Sequence, residues 1–336
     1  MTNNTYTAKD FATDQDVRWC PGCGDYSILK QMQSTLAEAG IPKHDIVFVS
    51  GIGCSSRFPY YMDTYGIHSI HGRATAIASG LKATRPELSV WIVTGDGDAL
   101  SIGGNHLIHL LRRNFNVNVL LFNNEIYGLT KGQYSPTSPE GQVTKSSPMG
   151  SLDHPFNPAA LMLGAGATFY ARTMDRDPKH LRDVLMAAHH HKGTSVVEIY
   201  QNCNVFNDGA FEAFTDKQRR ELTTVFLEEG KPLRFGPNGS KVLTIENLTP
   251  RVKDYETDEH AWIHDPADPT KAHLLTTLFA SPDKEDALPR PFGIFFRTQR
   301  ECYEDAMQKQ IQRAVDVKGE GDLNALISGS QTWTVG

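Results

Sequence analysis

Residues 89–124 read SVWIVTGDGDALSIGGNHLIHLLRRNFNVNVLLFNN and predict the central unit of the fold. SVWIVTG and VNVLLF are short apolar runs typical of buried strands, and NHLIHLLRRN between them has a helical pattern. A helix that crosses over in this way returns the chain beside the first strand, so the two strands are expected to be parallel neighbours. GDGDALSIGG and NNEIYG then follow as loops after each strand.

The same alternation extends on both sides of this unit, over about residues 19–205. Three further runs have strand patterns: DIVFVS, TFYARTM and SVVEIYQN. Four further runs have helical patterns: DYSILKQMQSTLAEAG, HGRATAIASGLKATRPE, PAALMLGAG and PKHLRDVLMAAHHHKG. Alternating strands and helices predict an α/β fold with a doubly wound parallel sheet. Ligands bind such sheets at the carboxyl ends of the strands, where GIGCSSR, GDGDALSIGG and NNEIYGLTKGQ lie.

The flanking segments lack this alternation. We expect a polar N-terminal arm over residues 1–18, a sheet domain over 19–205 and a less regular C-terminal extension over 206–336. Within the extension, RFGPNGSK and SPDKEDALPRPFG are predicted to be turns and extended arms. We expect the extension to pack on a partner subunit or to cover the active site, because it has few sheet signals yet too little charge for disorder.

Composition limits the classes of function. The chain has 336 residues, 39% apolar and 21% charged, with a formal net charge of −6. This is the profile of a globular protein with a substantial core, and its mild acidity gives no reason to expect nucleic acid or an anionic membrane as a partner. The N-terminal residues MTNNTYTAKDFATDQD lack the apolar stretch of a signal peptide, and no run approaches the roughly 18 apolar residues of a membrane span. We therefore expect a cytoplasmic protein.

Oxygen-bearing side chains follow the two strands of the opening stretch. Asp96 comes directly after the first strand, and Asn124 closes the second one 28 positions later. Mg²⁺ prefers octahedral oxygen ligands, usually one or two carboxylates and phosphate oxygens. Asp96, the Asn124 side chain and a loop carbonyl such as that of Ile126 supply half of such a shell, and a diphosphate could supply the rest. Gly97 and residues 103–104 would let the diphosphate approach the backbone and the following helix.

Two other interpretations of these loops have to be considered. GDG alone is typical of any strand-to-helix turn, so the pair with Asn124 is what favours a metal site. A dinucleotide fold needs a third glycine in G-x-G-x-x-G, but GIGCSS has Ser56 at that place and GDGDAL has Leu100. The sequence therefore disfavours a Rossmann dehydrogenase.

Five cysteines raise the question of a metal or redox site. Cys20 and Cys23 lie in WCPGCG, Cys54 follows a strand and Cys203 ends another one. A reducing compartment argues against a disulfide framework, and four thiolates from separate loops suit either Zn²⁺ or a [4Fe-4S] cluster. From these residues alone, structural zinc is the first choice.

The motifs together resemble one family. GDG followed by about 25 residues and NN is similar to the motif that anchors Mg²⁺ and the cofactor's diphosphate in thiamine-dependent enzymes. WCPGCG, GIGCSSR, HGRA, GDGDALSIGGNH, NNEIYGLTKGQ and the later Cys203 resemble the beta subunit of 2-oxoacid:ferredoxin oxidoreductases, especially the 2-oxoglutarate type. The resemblance covers residues 19 to about 205. It implies oxidative decarboxylation of a 2-oxoacid with coenzyme A, giving acyl-coenzyme A, carbon dioxide and reduced ferredoxin, or the reverse carboxylation.

The resemblance also implies roles for individual residues. The residues around thiamine diphosphate would be Ile52, Gly53, Cys54, Ser55, His71, Gly97, Asp98, Gly128 and Leu129. His71 would hydrogen-bond the diphosphate or the reacting carbonyl, although it could instead cap the helix in HGRATAIASG. Arg57 and Lys131 match positions that hold the substrate in the 2-oxoglutarate type, where cations suit a second carboxylate. Pyruvate or another 2-oxoacid is the alternative substrate.

If the cofactor is thiamine diphosphate, the four cysteines are expected to bind a redox-active group. Decarboxylation generates electrons, and zinc has no redox chemistry. A dithiol with a reduction potential of about −270 mV is too oxidising to reduce a ferredoxin at about −400 mV. Iron-sulfur clusters transfer single electrons and cover a wide range of reduction potentials. The resemblance assigns a [4Fe-4S] cluster to Cys20, Cys23, Cys54 and Cys203, and leaves Cys302 as a structural thiol.

The resemblance further implies partners. The glutamate that activates thiamine normally belongs to a pyrimidine-binding domain, and this chain has one alternating sheet. We therefore expect an alpha subunit that carries this glutamate, an assembly of two alpha and two beta chains, and ferredoxin as the electron acceptor. The non-enzymatic alternative is a zinc-stabilised binding module in which GDG and NN are only turns.

Overall fold

An eight-stranded sheet forms the centre of the computed structural model, which describes residues 6–257, 259–282, 287–333 and 335. Its strand order is β2-β1-β3-β4-β6-β5-β11-β7, and all neighbours are parallel except β5 and β11. The strands in chain order are β1 Ile46–Ser50, β2 Tyr65–His68, β3 Ser89–Gly95, β4 Asn118–Asn123, β5 Phe169–Met174, β6 Ser195–Tyr200, β7 Thr224–Leu227, β8 Arg234–Phe235, β9 Lys241–Glu246, β10 Thr249–Asp254 and β11 Arg290–Arg297.

Helices cover both faces of this sheet. Those in chain order are α1 Asp25–Ala39, α2 Ala74–Thr84, α3 Asp96–Leu100, α4 Gly104–Arg113, α5 Pro158–Gly164, α6 Pro178–His190, α7 Glu212–Thr215, α8 Lys217–Thr223, α9 Pro269–Thr276, α10 Tyr303–Lys318 and α11 Leu323–Ser328. Short 3-10 helices span Ala8–Phe11, Lys43–Asp45, Ser55–Tyr61 and Pro237–Gly239. Among the described residues, no helix is both long and apolar enough to cross a bilayer.

Alternate residues of the buried strands face two separate cores. Val47 and Val90 pack in a core that includes residues of α2, α4, α5 and α9. Phe48 and Trp91 point the other way, into a core that includes residues of α1 and α6. A strand presents successive side chains to opposite faces, so the continuous apolar runs correspond to strands buried on both sides. The predicted doubly wound sheet is confirmed.

The sheet continues beyond the boundary predicted at residue 205. Strands β7 and β11 extend it past β5, so the prediction that SPDKEDALPRPFG is only turns and extended arms is wrong at Arg290 and the residues after it. Pro291 lies inside β11, but pairing with β5 begins only at Gly293, so its missing N–H costs no bond on that side. Residues 283–286 of this stretch lie outside the described part.

Other parts of the flanking segments also have defined structure. Phe11 of the N-terminal arm is fully buried against the α1 core, while residues 1–5 lie outside the described range. In the extension, β8, β9 and β10 form a separate antiparallel sheet, and RFGPNGSK includes β8 and the turn into β9. The polar composition of the flanking segments does not indicate such short elements, so the sequence did not predict them.

The loops after β1, β3, β4 and β6 meet at one edge of the sheet, because these strands are parallel neighbours. The loop after β1 forms the 3-10 helix Ser55–Tyr61. GDGDALSIGG, predicted to be a loop, instead begins with the one-turn helix α3. Acidic residues in a first turn stabilise a helix, and the last two residues of α3, Ala99 and Leu100, are buried. This helix fixes the positions of Asp96 and Asp98 at the carboxyl end of β3.

Candidate active site

A cavity of about 480 Å³ opens at the carboxyl ends of β1, β3 and β4. Each predicted thiamine-contact residue lines it, as do the three predicted magnesium ligands. The lining is Ile52, Gly53, Cys54, Ser55, His71, Gly95, Asp96, Gly97, Asp98, Phe122, Asn124, Ile126, Tyr127, Gly128, Leu129, Thr130 and Gln133. Motifs separated by up to 80 positions in the chain therefore form one cavity.

Asp96 is held by two hydroxyl groups. It is the first residue of α3, only 3% exposed, and its Oδ2 accepts hydrogen bonds from Ser135 Oγ at 2.5 Å and Thr137 Oγ1 at 2.6 Å. Burial raises the pKa of Asp96, and the two hydroxyl bonds oppose that shift. The carboxylate is thus fixed in place at the wall of the cavity.

The two asparagines after β4 have different environments. Asn123 faces the interior, where its Nδ2 donates to Glu198 Oε1 at 2.8 Å and its Oδ1 lies 2.9 Å from Thr137 Oγ1. Glu198 is itself fully buried and paired with Arg172 at 2.6 Å. Asn124 lines the cavity. The first asparagine therefore lies beside the hydroxyl that holds Asp96, and the second one faces the cavity.

The oxygen atoms around this wall fit a magnesium ion. Asp96 and Asn124 come from the ends of adjacent strands, and Ile126 follows in the same loop. Carboxylate and amide oxygens are the protein ligands that Mg²⁺ takes together with phosphate oxygens. The residues assigned to magnesium from the sequence therefore share the cavity that its diphosphate partner would need.

Asp98 organises the wall of the cavity. It is 3% exposed, and its Oδ1 accepts from the backbone N–H groups of Ile52 at 3.1 Å and Gly72 at 2.7 Å and lies 2.6 Å from His71 Nδ1. Its Oδ2 accepts from Thr94 Oγ1 at 2.7 Å. Asp98 thus joins three loops and orients the His71 ring, which is bonded here and does not cap α2.

The glycines of this loop make room for other protein atoms. A Cβ on Gly97 would lie 2.1 Å from Tyr127 Cε1, and one on Gly103 would lie 2.4 Å from the carbonyl oxygen of Asp98. Gly72, at φ +69°, packs directly against Gly103. Gly103 therefore serves loop packing, and Gly97 accommodates the Tyr127 ring, whose hydroxyl donates to Gly97 O at 3.0 Å, in addition to lining the cavity.

Four cysteines border the same cavity or lie beside it. Cys54 lines the cavity, and a Cβ built on Gly128 would lie 3.6 Å from Cys54 Sγ and 3.5 Å from Cys203 Sγ. Cys20 and Cys23 form a turn closed by a backbone bond of 3.0 Å. That turn is tied to the Cys203 loop, since Asn204 Nδ2 donates to Pro21 O at 2.7 Å.

The thiols influence one another electrostatically. Burial, together with the nearby charges of Asp25, Cys203 and Cys20, raises the pKa of Cys54 to about 12. Burial likewise raises the pKa of Cys23, with contributions from Cys203 and Cys54. The four sulfurs predicted to act together are therefore close in space, and each must lose a proton to bind metal. Cys302 lies apart from them, at the N-terminus of α10.

The sulfurs do not converge on a single point. Within the described part of the chain, no group of three or more His, Cys, Asp or Glu side chains is arranged to hold one metal ion. Structural zinc needs four ligands within about 2.0 to 2.3 Å of the ion. A [4Fe-4S] cluster is also held by four cysteines but is larger than one ion, so its ligand sulfurs do not have to converge on one point.

The two predicted substrate cations differ in position. Arg57 lines a second cavity of about 610 Å³, which shares Ile52, Gly53 and Leu129 with the first. Its Nε donates to Tyr61 Oη at 3.2 Å. Lys131 is exposed in a turn with φ +77° and is not among the described residues lining either cavity.

Sequence reasoning missed several residues that hold the site together. Ser135 and Thr137 lie in a Ser- and Pro-rich loop with no periodic pattern, and Tyr127 and Gln201 are single polar residues beside recognised motifs. Their partners are fixed only by the fold. The one available signal was that Tyr127 lies inside NNEIYG, the loop already assigned to the cavity.

Comparisons with known proteins agree with this geometry. A family described as thiamine pyrophosphate enzyme, C-terminal TPP binding domain, matches residues 51–199. The chain is 52% identical to 2-oxoglutarate oxidoreductase subunit KorB of Mycobacterium tuberculosis, covering 99% of this chain and 90% of that protein. It is 43% identical to 2-oxoglutarate synthase subunit KorB of Archaeoglobus fulgidus, covering 72% and 93%.

A solved structure extends the likeness to the whole chain. The 2-oxoglutarate:ferredoxin oxidoreductase of Magnetococcus marinus, with 2-oxoglutarate, coenzyme A and succinyl-CoA bound, superposes with a TM-score of 0.78 at 32% identity and covers 98% of both chains. The sequence relatives and the superposed fold name the same enzyme. This chain belongs to the 2-oxoacid:ferredoxin oxidoreductases, as a beta subunit of the 2-oxoglutarate type that acts with an alpha subunit.

Proposed function

We propose that this chain catalyses the coenzyme A-dependent oxidative decarboxylation of 2-oxoglutarate. The products are succinyl-CoA and carbon dioxide, and the two electrons released leave one at a time through a [4Fe-4S] cluster to ferredoxin. The reaction is reversible. The observation that carries the proposal is that Cys54 lines the same cavity as Asp96 and Asn124. An electron donor in this cavity would lie against a cluster ligand.

Thiamine diphosphate and Mg²⁺ are the cofactors that suit the oxygen-lined wall. Asp96, Asn124 and the carbonyl of Ile126 would bind the ion, and Asp98 would hold the loops around the cofactor. When bound, thiamine diphosphate supplies the nucleophilic carbon that the amino-acid side chains lack. His71, whose Nδ1 is held by Asp98, would present its other ring nitrogen to the diphosphate or to the reacting carbonyl. The remaining contacts would come from Ile52, Gly53, Cys54, Ser55, Gly97, Gly128 and Leu129.

The sulfur ligands of the cluster would be Cys20, Cys23, Cys54 and Cys203. Cys54 contributes to both sites, which supports direct electron transfer over a short path. Five free thiols also favour the reducing conditions of the cytoplasm, where we place the protein. Zinc bound by the same cysteines is the non-enzymatic alternative, and the sulfur arrangement favours the larger cluster.

The alpha subunit would supply the glutamate that activates thiamine. Among the described residues lining the 480 Å³ cavity there is no glutamate. We propose that the active site is completed across the interface, in an assembly of two alpha and two beta chains. Residues 19–205 would form the cofactor-binding unit, and the extension over 206–336 would pack on the partner subunit or cover the site.

Exposed apolar residues support this role of the extension. On α11, Leu323, Leu326 and Ile327 are 67%, 79% and 75% exposed. Their spacing places them on one face of the helix, where a soluble monomer would keep polar residues. We propose that this apolar face contacts the alpha subunit, which is the partner expected for a beta subunit of this family.

Arg57 and Lys131 would bind the second carboxylate of 2-oxoglutarate. Arg57 is better placed, because its cavity adjoins the thiamine cavity through three shared residues. Pyruvate lacks this carboxylate, so its turnover should not depend on either cation. Another 2-oxoacid with the same chemistry remains the alternative substrate.

The test is an anaerobic assay of the co-expressed alpha and beta chains. Ferredoxin reduction should occur with 2-oxoglutarate and coenzyme A and be much slower with pyruvate. Arg57→Ala should reduce 2-oxoglutarate turnover and spare residual pyruvate turnover, while Lys145→Ala, at an exposed cation away from both cavities, serves as the control. A colourless, zinc-containing protein without this activity would support the binding module instead.

A further inference from the structure

Gln201 lies between the two metal sites. It follows β6 directly, is 1% exposed, and its backbone N–H donates to Asn123 O at 2.9 Å. Its side-chain Oε1 accepts from Asn124 Nδ2 at 2.9 Å. Its Nε2 donates to Cys23 Sγ at 3.3 Å and to Asn202 O at 2.6 Å. One buried amide thus contacts both a magnesium ligand and a cysteine of the cluster site.

The polarity of these contacts allows only one orientation. A carbonyl oxygen and a thiolate can only accept hydrogen bonds, so the side of Gln201 that faces Asn202 and Cys23 must be its NH₂ group. Its Oε1 must then face Asn124, which has to present its own NH₂ group in return. The Asn124 Oδ1 is consequently directed away from Gln201 and accepts from the Ile126 backbone N–H at 3.2 Å, which leaves it a second lone pair for a metal ion.

We propose that Gln201 is a positioning residue that couples the two sites. Through Asn124 it presents Oδ1 to magnesium, and through Cys23 it donates a hydrogen bond to a cluster thiolate. The inference rests on the proposed function, which assigns Asn124 to magnesium and Cys23 to the cluster. It adds a residue outside the cavity lining that acts on both cofactors.

Each contact has its own measurable consequence. Residues that orient a metal ligand typically contribute 10- to 100-fold to metal affinity. A hydrogen bond to a cluster sulfur stabilises the more negative, reduced state and so raises the reduction potential. Removing both contacts should therefore weaken magnesium binding and make the cluster harder to reduce.

Two substitutions separate these effects. Gln201→Met has a similar length but neither donates to Cys23 nor accepts strongly from Asn124. Gln201→Glu keeps an oxygen that accepts from Asn124 but places only acceptors against the sulfur. Methionine should affect both sites, and glutamate mainly the cluster.

The experiment uses the anaerobically purified complex with its alpha subunit. Redox titration followed by electron paramagnetic resonance gives the cluster potential, and Mg²⁺ titration in the presence of thiamine diphosphate gives metal affinity. We expect both variants to have a lower potential than the parent. Mg²⁺ affinity should fall about 10- to 100-fold in Gln201→Met and stay within about twofold in Gln201→Glu.

Controls distinguish failure of this inference from failure of the proposed function. Gln31→Met removes another buried glutamine, whose partner is Arg182, and should change neither quantity. Unchanged potential and affinity in Gln201→Met, with a normal cluster signal in the parent, would refute the role of Gln201 alone. A parent without any cluster signal after chemical reduction would refute the cluster assignment, and this inference with it.

Discussion

The oxygen side of the site (Asp96, Asn124 and Ile126) lines the cavity, whereas the sulfur side (Cys20, Cys23, Cys54 and Cys203) reaches it through Cys54, and the two sides are built differently. Asp96 is held by two hydroxyl donors, and the loop around it is fixed by the four hydrogen bonds of Asp98. The sulfurs have fewer such partners: Cys23 accepts from the Gln201 side chain at 3.3 Å and from the backbone of Asp25.

This difference indicates how each site reaches its working state. The oxygen side has its geometry before any ion is bound, because neighbouring protein groups determine it. On the sulfur side, burial raises the pKa values of the Cys23 and Cys54 thiols, so these two groups would acquire negative charge only when ligation releases their protons. Preorganised oxygen ligands and proton-releasing sulfur ligands should respond differently to mutation and to pH.

The largest expected effect comes from Cys54→Ser. Because Cys54 is proposed as both a cluster ligand and a cavity residue, its loss should remove the cluster and abolish ferredoxin reduction. Visible absorption and paramagnetic resonance of the anaerobic complex measure the cluster. Cys302→Ser, at a buried thiol remote from the cavity, should retain it. Equal cluster content in both variants would contradict the assignment of the sulfur side.

The next effect is that of Asp96→Asn. Replacing the carboxylate by an amide removes the charge of a proposed magnesium ligand, and Mg²⁺-dependent thiamine diphosphate binding should weaken by more than about 100-fold. The cluster spectrum should be unchanged, because the substitution leaves the sulfur side intact. Binding is measured by calorimetry, with the exposed Asp183→Asn as the control. Loss of the cluster in Asp96→Asn would show that the sulfur side depends on the Asp96 carboxylate.

A change of pH should affect the sulfur side more than the oxygen side. The raised pKa of Cys54, about 12, keeps the unligated thiol protonated at neutral pH, so protons compete with iron. Each unit of decrease in pH favours the unligated state by about 1.4 kcal/mol, a factor of ten, for each thiol. Cluster loss to a chelator should increase from pH 8 to pH 6. A rate independent of pH would contradict this explanation.

The smallest effect is expected for Thr137→Val. This substitution of similar shape removes the hydroxyl between Asp96 and Asn123 but leaves the Ser135 bond in place. Losing one hydrogen bond to a charged group costs about 1.5 to 3 kcal/mol, so Mg²⁺ affinity should fall by roughly 10- to 100-fold. Thr84→Val, at an exposed position on α2, provides the comparison in the same titration. An affinity equal to that of the parent would show that Asp96 is held without Thr137.

The sequence was sufficient to predict the central sheet and the meeting of its loops. Strands such as β3 and β4 are continuous apolar runs, and parallel strands necessarily bring Asp96 and Asn124 to one edge. The motif spacing then identified the family. The local pattern of apolar residues and the topology of parallel strands are enough to determine these features.

The supporting residues could not be predicted, because their partners are distant in the chain. Thr137 reaches Asp96 across 41 positions, and Gln201 reaches Cys23 across 178. A proline such as Pro291 is unusual inside a strand, because it cannot donate a backbone hydrogen bond. The sequence could not show that β11 is not yet paired with β5 at this residue. Lys131 is proposed as a substrate residue from its motif alone, because it is not among the described residues that line either cavity.

The central claim is that electrons released in this cavity pass to the adjacent cluster. It is tested most directly by mixing the anaerobic complex with 2-oxoglutarate and coenzyme A in the absence of ferredoxin, and freezing samples for paramagnetic resonance. The account predicts a reduced [4Fe-4S] signal that appears with succinyl-CoA and is absent from Cys54→Ser. Formation of succinyl-CoA while the cluster stays oxidised would contradict it.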